Sequence, residues 1–243
     1  MSSTATSFLD YAVEKRLSQI TRYVDFDDKV ALDVGCGNGI YTLMLATKVK
    51  QMVGIDISKK ALHEAITNQA RCNAPNVHFV LMSVEALGFL RDHFEIVVCV
   101  ETLEHVNKQR EALREIRRVL KSEGKLILYV PNKFYPFETH GMRIGNFSMN
   151  HPLIPLFSFA PNFIRRRYER ARIYTLKELS NLLRNLGFQI NAVDYMFPPL
   201  DRFKNKALKK SFRKILSMLE KTRLKIFAMS ILVIATKSPG VLP

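Results

Sequence analysis

The sequence is short of cysteine, of acidic side chains and of long apolar runs, and each shortage excludes something. Its three cysteines, Cys36, Cys72 and Cys99, have neither metal-ligand nor disulfide spacing, so a zinc framework or a stapled secreted scaffold is not expected. A reducing compartment is the plain reading. No apolar stretch approaches the ~20 residues that a membrane-spanning helix needs. The first residues, MSSTATSFLDYAVEKR, lack the basic-then-apolar order of a secretory signal, so a cytoplasmic protein is expected. Asp and Glu number 22 against 37 Lys and Arg, a formal net charge of +15. With 243 residues, 47% of them hydrophobic, the chain is long enough for one α/β domain, expected to span 1–243.

Glycine is also sparse, and three of the ten stand together. In Val30–Leu43 (VALDVGCGNGIYTL) an apolar run ends in Asp33-Val34-Gly35, Gly37 and Gly39 follow, and Ile40–Ala46 takes up helical spacing. That is a strand, a glycine turn and a helix start, which leaves backbone N–H groups open to a ligand. A Cβ would obstruct both the turn and the ligand's approach. Ile40 stands where a dinucleotide-binding turn needs its third glycine, so G-x-G-x-x-G is not completed. D-x-G-x-G-x-G resembles instead the first motif of the class I S-adenosylmethionine-dependent methyltransferases.

Further along, Gln51–Ile55 reads as a strand ending in Asp56, 17 residues after Gly39. An acid there can accept both hydroxyls of an adenosine ribose or cap the helix Ser58–Arg71; Asp56 and Ser58 can divide the two tasks. Val77–Leu81 is a third strand. It leads to Ser83, where related methyltransferases carry an aspartate facing the adenine amino group; serine accepts that bond more weakly. Phe94–Val100 is nearly continuous apolar, as a central parallel strand should be. A helix over Asn107–Leu120 follows, with Leu113, Ile116, Val119 and Leu120 as its stripe, a stop at Lys121–Gly124, and a strand Lys125–Val130. Thr175 and Glu178 form a capping box for a helix ending at Gly187; strands Phe188–Met196 and Met229–Thr236 complete the chain. At the amino end, Thr4–Tyr23 reads as one or two helical turns, with Phe8, Tyr11, Ala12 and Ile20 packing against the cofactor side. The alternation implies a doubly wound parallel α/β sheet with right-handed crossovers. The resemblance implies seven strands in the order 3-2-1-4-5-7-6. It also implies S-adenosylmethionine held by Asp33, Gly35, Cys36, Gly37, Gly39, Asp56, Ile57, Ser83, Val84 and Val100.

Methyl transfer from a sulfonium is an in-line displacement that depends on positioning, and a hydroxyl or amine acceptor must also lose a proton. Glu101-Thr102-Leu103-Glu104-His105 follows the central strand, so His105 is the preferred base and Glu101 the second catalytic candidate. E-x-x-E-H resembles the loop of the ubiquinone-pathway O-methyltransferases and of the small-RNA 3′-end methyltransferases. The second likeness implies Mg²⁺ or Mn²⁺ on Glu101, Glu104 and His105, with Glu138 or His140 as a fourth ligand. The plainer alternative is that Glu104 and His105 cap the next helix.

Residues 131–174 and 197–228 fall outside the minimal fold. Both leave from the carboxyl end of a strand, the edge that carries the ligand crevice in open α/β sheets, so they are expected to form a substrate-side lid. The charge concentrates there. Asn162–Arg172 holds five arginines against Glu169, and Asp201–Lys225 holds ten Lys or Arg against Asp201 and Glu220. In the second stretch Leu208, Phe212, Ile215, Leu216 and Leu219 share one helical face, and Lys206, Lys209, Lys210, Arg213 and Lys214 the other. Beside the apolar loop His151–Phe159, such a helix (202–225) suits an anionic membrane surface, or a solvated lid; RNA phosphates rank behind. The function expected is O-methylation of an apolar or lipid-linked small molecule near a membrane. An RNA methyltransferase and a non-catalytic scaffold are the alternatives.

Overall fold

A computed structural model describes residues 11–137, 142–144, 147–149, 157–159, 171–199 and 205–238. Arg165, Arg166, Arg167 and Arg170, Glu138 and His140, Phe8, and most of the loop 151–159 lie outside them.

Seven strands form one sheet: β1 (Val30–Val34), β2 (Gln51–Asp56), β3 (Val77–Leu81), β4 (Phe94–Val100), β5 (Leu120–Pro131), β6 (Phe188–Met196) and β7 (Ser230–Lys237). Their order is β3-β2-β1-β4-β5-β7-β6, as the resemblance implied. The first five run parallel, and β7 lies antiparallel between β5 and β6. Asp33 pairs with Gly54 on one side and Val98 on the other, so the carboxyl ends of β1, β2 and β4 meet at one edge. Because β7 alone is reversed, β6 runs parallel to β5. The segments after Pro131 and after Met196 therefore leave from that same edge.

Helices cover both faces of the sheet. On one side α4 (Gln109–Val119) and α5 (Leu176–Asn185) bury Leu113, Ile116, Val119 and Leu183 against β4, β5 and β7. On the other, α1 (Tyr11–Tyr23) and α2 (Ile40–Ala46) bury Leu17, Ile20, Leu43 and Leu45. The capping box forms: Thr175 Oγ1 accepts from Glu178 N at 3.1 Å, and Glu178 Oε2 accepts from Thr175 N at 3.0 Å. The α3 helix (Lys59–Cys72) starts at Ser58, whose side chain accepts from Ala61 N. Among the described residues no helix is long and apolar enough to cross a membrane.

Three elements depart from expectation. The α1 helix is longer than one or two turns, and it buries Val13, Arg16, Leu17, Gln19 and Ile20 while Tyr11 and Ala12 stay half-buried. The stop at Lys121–Gly124 is instead a bulge inside β5, where Phe94 already pairs with Leu120 and Glu123 takes a left-handed φ of 61°. The basic helix, α6 (Lys206–Leu219), does not use its whole apolar face for its own domain. Leu216 and Leu219 pack against the core, whereas Leu208, Phe212, Ile215 and Met218 are exposed.

One residue roots both insertions. Asn132 forms a bridge with Tyr174, flanked by Lys133 N→Tyr174 O (2.9 Å) and Tyr174 N→Pro131 O (3.0 Å). Its side-chain amide donates to Ile226 O and Ala228 O, both at 2.7 Å, and its N–H donates to Met229 O.

Candidate active site

At the end of β1 the chain turns through three left-handed glycines, Gly35 (φ 71°), Gly37 (54°) and Gly39 (80°). A Cβ on Gly35 would strike the Thr102 side chain at 2.3 Å, and one on Gly39 would strike the Phe79 ring at 2.7 Å. At Gly37 a Cβ would meet nothing within 4 Å. Close packing thus adds to backbone strain at the outer two glycines, while the middle one borders open space.

The turn is tied down from β2. Gly35 N and Cys36 N both donate to Ile55 O (2.8 and 2.9 Å), and Gly37 N donates to Asp56 Oδ2 at 2.9 Å. The other carboxylate oxygen of Asp56 accepts from Ser58 N at 2.8 Å. So Ser58 caps α3 and Asp56 braces the glycine turn. Each Asp56 oxygen has taken one N–H and keeps capacity for another donor. Asp33 reaches the turn from beneath: it is buried, accepts from Thr42 Oγ1 at 2.6 Å, and burial pushes its carboxyl up to about 6 against the pull of that bond. Cys36 is buried in the turn and Cys99 in β4; burial raises both thiols, which makes them poor nucleophiles. Ile57 is 77% exposed beside Asp56, and Val84 and Val100 sit at the margin of the core. The Ser83 hydroxyl accepts from Glu85 N at 3.2 Å and so shapes the turn after β3.

Glu101 ends β4 with a left-handed φ of 50°, and its N–H donates to Tyr129 O at 3.0 Å. Its carboxylate forms an ion pair with Arg16 from α1. Arg16 is almost wholly buried, donates to the Tyr41 hydroxyl at 2.9 Å and lies 5.6 Å from the Tyr129 ring centroid. Burial works against its charge, but Glu101 and Tyr41 outweigh burial and hold its pKa above the ordinary value. Its Nε is buried and finds no hydrogen-bond partner among the described residues. Gln19, one turn on, accepts from the Tyr129 hydroxyl and donates to Tyr195 O at 3.1 Å, which locks α1 across the sheet. The sequence reading did not single out Arg16. The available signal was a charged residue within the apolar stripe of Val13, Leu17 and Ile20.

The next residues close a 3₁₀ turn, Leu103–His105, with His105 N donating to Thr102 O at 3.0 Å. Thr102 Oγ1 donates to Val100 O at 3.1 Å, beside Gly35, so this turn and the glycine turn share one edge. Glu104 points inward at 3% exposure; burial pushes its carboxyl up to about 8, and neighbouring Glu101 adds to the shift. Its backbone oxygen accepts from Arg172 N at 3.1 Å, which seats the stem of the first insertion on the turn. His105 is exposed at the same edge.

Two expectations are corrected here. Glu101, Glu104 and His105 do not converge on a metal site: one is paired with Arg16, one is inside and one outside. Among the described residues no group of three His, Cys, Asp or Glu is placed to hold a metal ion. Nor do Glu104 and His105 cap the next helix, since α4 begins after Lys108 with no side-chain cap.

Residues 32–128 match the family model described as a methyltransferase domain. The chain is 33% identical over 119 residues to the ubiquinone biosynthesis O-methyltransferase of Albidiferax ferrireducens, covering 49% of this chain and 47% of that protein. It is 33% identical over 97 residues to the uncharacterized methyltransferase YcgJ of Bacillus subtilis, covering 40% and 38%. The chain thus spans about half or less of the length of these relatives. The solved structure of YcgJ superposes with a TM-score of 0.63 at 19% identity, over 93% of this chain and 100% of that one. A SAM-dependent methyltransferase structure from Methanosarcina mazei gives 0.62 at 20% identity, over 90% and 96%. Sheet order and superpositions agree on the fold: the chain shares the seven-stranded fold of these solved methyltransferase structures, and within it residues 32–128 match a methyltransferase domain model.

Proposed function

We propose that the protein transfers the methyl group of S-adenosylmethionine to an oxygen of an apolar or lipid-linked small molecule, met at a membrane surface beneath residues 131–174 and 197–228. The observation that carries the reading is the cradle at Gly37, open where a side chain would stand and braced by Asp56. The residues present suit the cofactor. Asp56 has acceptor capacity left for two ribose hydroxyls. Arg16 and Glu101, a cation and an anion at one loop, match the carboxylate and ammonium of a methionine end, and the free Arg16 Nε is a donor in want of an acceptor. When bound, the cofactor supplies a methyl group on a positively charged sulfur.

The chain's own part is to position and to move one proton. Thr102 holds the loop after β4 against the glycine turn, so that an acceptor lying on this loop faces the cradle. His105, exposed on that loop, takes the acceptor's hydroxyl proton. Glu101, with its charge committed to Arg16, positions and does not act as the base. The relative named as an O-methyltransferase supports oxygen as the acceptor atom. The exposed Phe134 and Phe137 at the foot of the first insertion support an apolar acceptor.

Calorimetry with S-adenosylhomocysteine, followed by incubation of radiolabelled S-adenosylmethionine with the protein and a fractionated lysate, tests the reading. Saturable binding and label in the solvent-extractable fraction are expected. Absence of saturable binding would leave a scaffold, and label in the RNA fraction would replace the acceptor.

A further inference from the structure

We infer that the outer face of α6, with the turn Arg223–Phe227 that packs against it, docks on an anionic lipid bilayer. This deepens the reading above by naming the surface that meets the membrane, and rests on it only for the acceptor being held there.

Among the described residues, every exposed large apolar side chain beyond Leu90 lies in the two insertions. The densest set is on α6 and its turn. Leu208, Ile215 and Met218 are 48%, 51% and 60% exposed, Phe212 stands among them, and Ile226 and Phe227 in the turn are also exposed. A stripe serving only its own domain would be covered along its length, as in α4; here Leu216 and Leu219 alone on α6 reach the core.

Charge selects the occupant. Lys210, Lys214, Lys221 and Arg223 are exposed on the same helix and turn. Glu220, the one carboxylate in 205–228, is already paired with Lys15 at 2.5 Å. Arg213, by contrast, is engaged with the body of the protein, stacked 3.7 Å from the Tyr11 ring centroid and donating to Pro199 O. What remains outward is an aliphatic row beside cations that have no ion-pair partner among the described residues. Such a row fits the boundary of acyl chains and anionic headgroups, with the apolar side chains just below it and the lysines at headgroup level. A second copy of this chain would bring like charges together. RNA could stack on Phe212 and Phe227, but it would leave the aliphatic row of Leu208, Ile215 and Met218 without a partner.

The placement has a use. Arg213 and Glu220 hold α6 against α1, and α1 carries Arg16 to Glu101. A bilayer under α6 therefore lies one helix away from the candidate site, on the edge where an acceptor must enter.

Sedimentation of the full chain with phosphatidylcholine vesicles, with and without phosphatidylglycerol, tests this. The protein should pellet with the anionic vesicles only. Ile215→Ser with Met218→Ser should lower the partition coefficient at least about tenfold. Lys210→Gln with Lys214→Gln should lower it about tenfold or more at low salt and little at high salt. Four results would overturn the proposal: wild type left in the supernatant; both variants pelleting like wild type; sedimentation velocity showing self-association that the Ile215 and Met218 changes abolish; or RNA displacing the protein at equal phosphate concentration. Unchanged thermal unfolding of the variants ensures that lost pelleting reports the surface. Calorimetry with S-adenosylhomocysteine on the same preparations keeps the two readings apart. Wild-type protein that binds S-adenosylhomocysteine but stays in the supernatant sinks the docking face alone, and wild-type protein that pellets without binding sinks methyl transfer alone.

Discussion

Helices α4 and α6 have the same pattern on paper and opposite fates in the fold. Both are amphipathic, and both carry several Lys or Arg. In α4 the stripe of Ala112, Leu113, Ile116 and Val119 is wholly buried. Two of its arginines are engaged within the domain: Arg118 Nε lies 2.8 Å from Glu115 of the same helix, and Arg117 donates to Gly187 O and Ser238 O. In α6 most of the stripe faces out, and the helix contains no acid of its own. Apolar periodicity says that a helix has something to cover, not what covers it. The polar face adds to the contrast: α4 carries Glu111 and Glu115 among its arginines, whereas α6 has cations alone.

The widest test of that contrast is substitution within the two stripes. Leu113→Ala in α4 should cost about 2–5 kcal/mol in urea unfolding, whereas Ile215→Ser in α6 should stay within about 0.5 kcal/mol. Equal losses would mean that α6 is as integral as α4. The turn that feeds α4 gives the next largest effect. Glu104, raised to about 8 when folded, holds its proton better in the native state than in the unfolded chain. Its contribution is therefore complete in acid and is lost as pH rises through about 8. Glu104→Gln should leave stability near pH 4 unchanged and raise it at pH 9 by roughly 2–4 kcal/mol in paired denaturant curves.

Arg16→Met probes the strap between the two regions. It leaves Glu101 without its cation and should weaken S-adenosylhomocysteine binding, read by calorimetry, by about 2 kcal/mol. An unaltered affinity would confine Arg16 to structure. The smallest effect belongs to the largely buried tether of α6: Lys15→Gln should cost about 1 kcal/mol in thermal unfolding.

What could be read in advance follows from range. The glycine turn, the strand–helix alternation and the capping box at Thr175 depend on residues close in sequence, and spacing and periodicity carry that information, whereas the strand order was implied by the resemblance alone. Arg16 was not legible because its partner lies 85 positions away, and only packing brings them together. The separation of Glu101, Glu104 and His105 was hidden for a different reason. Five residues in a row look like a cluster, but a left-handed Glu101 followed by a 3₁₀ turn sends one to Arg16, one inward and one to solvent. The bulge in β5 escaped because Lys121–Gly124 has turn composition while Leu120 before it already pairs with Phe94.

Asn132 makes a single cap of what the chain writes as two separate additions. Its backbone neighbours, Pro131 O and Lys133 N, bind the returning end of the first at Tyr174, and its own amide binds the returning end of the second at Ile226 and Ala228. The cover is thereby hung from a single strand end: what fastens both additions sits at Pro131–Lys133, where β5 leaves the sheet, and not further along the additions themselves.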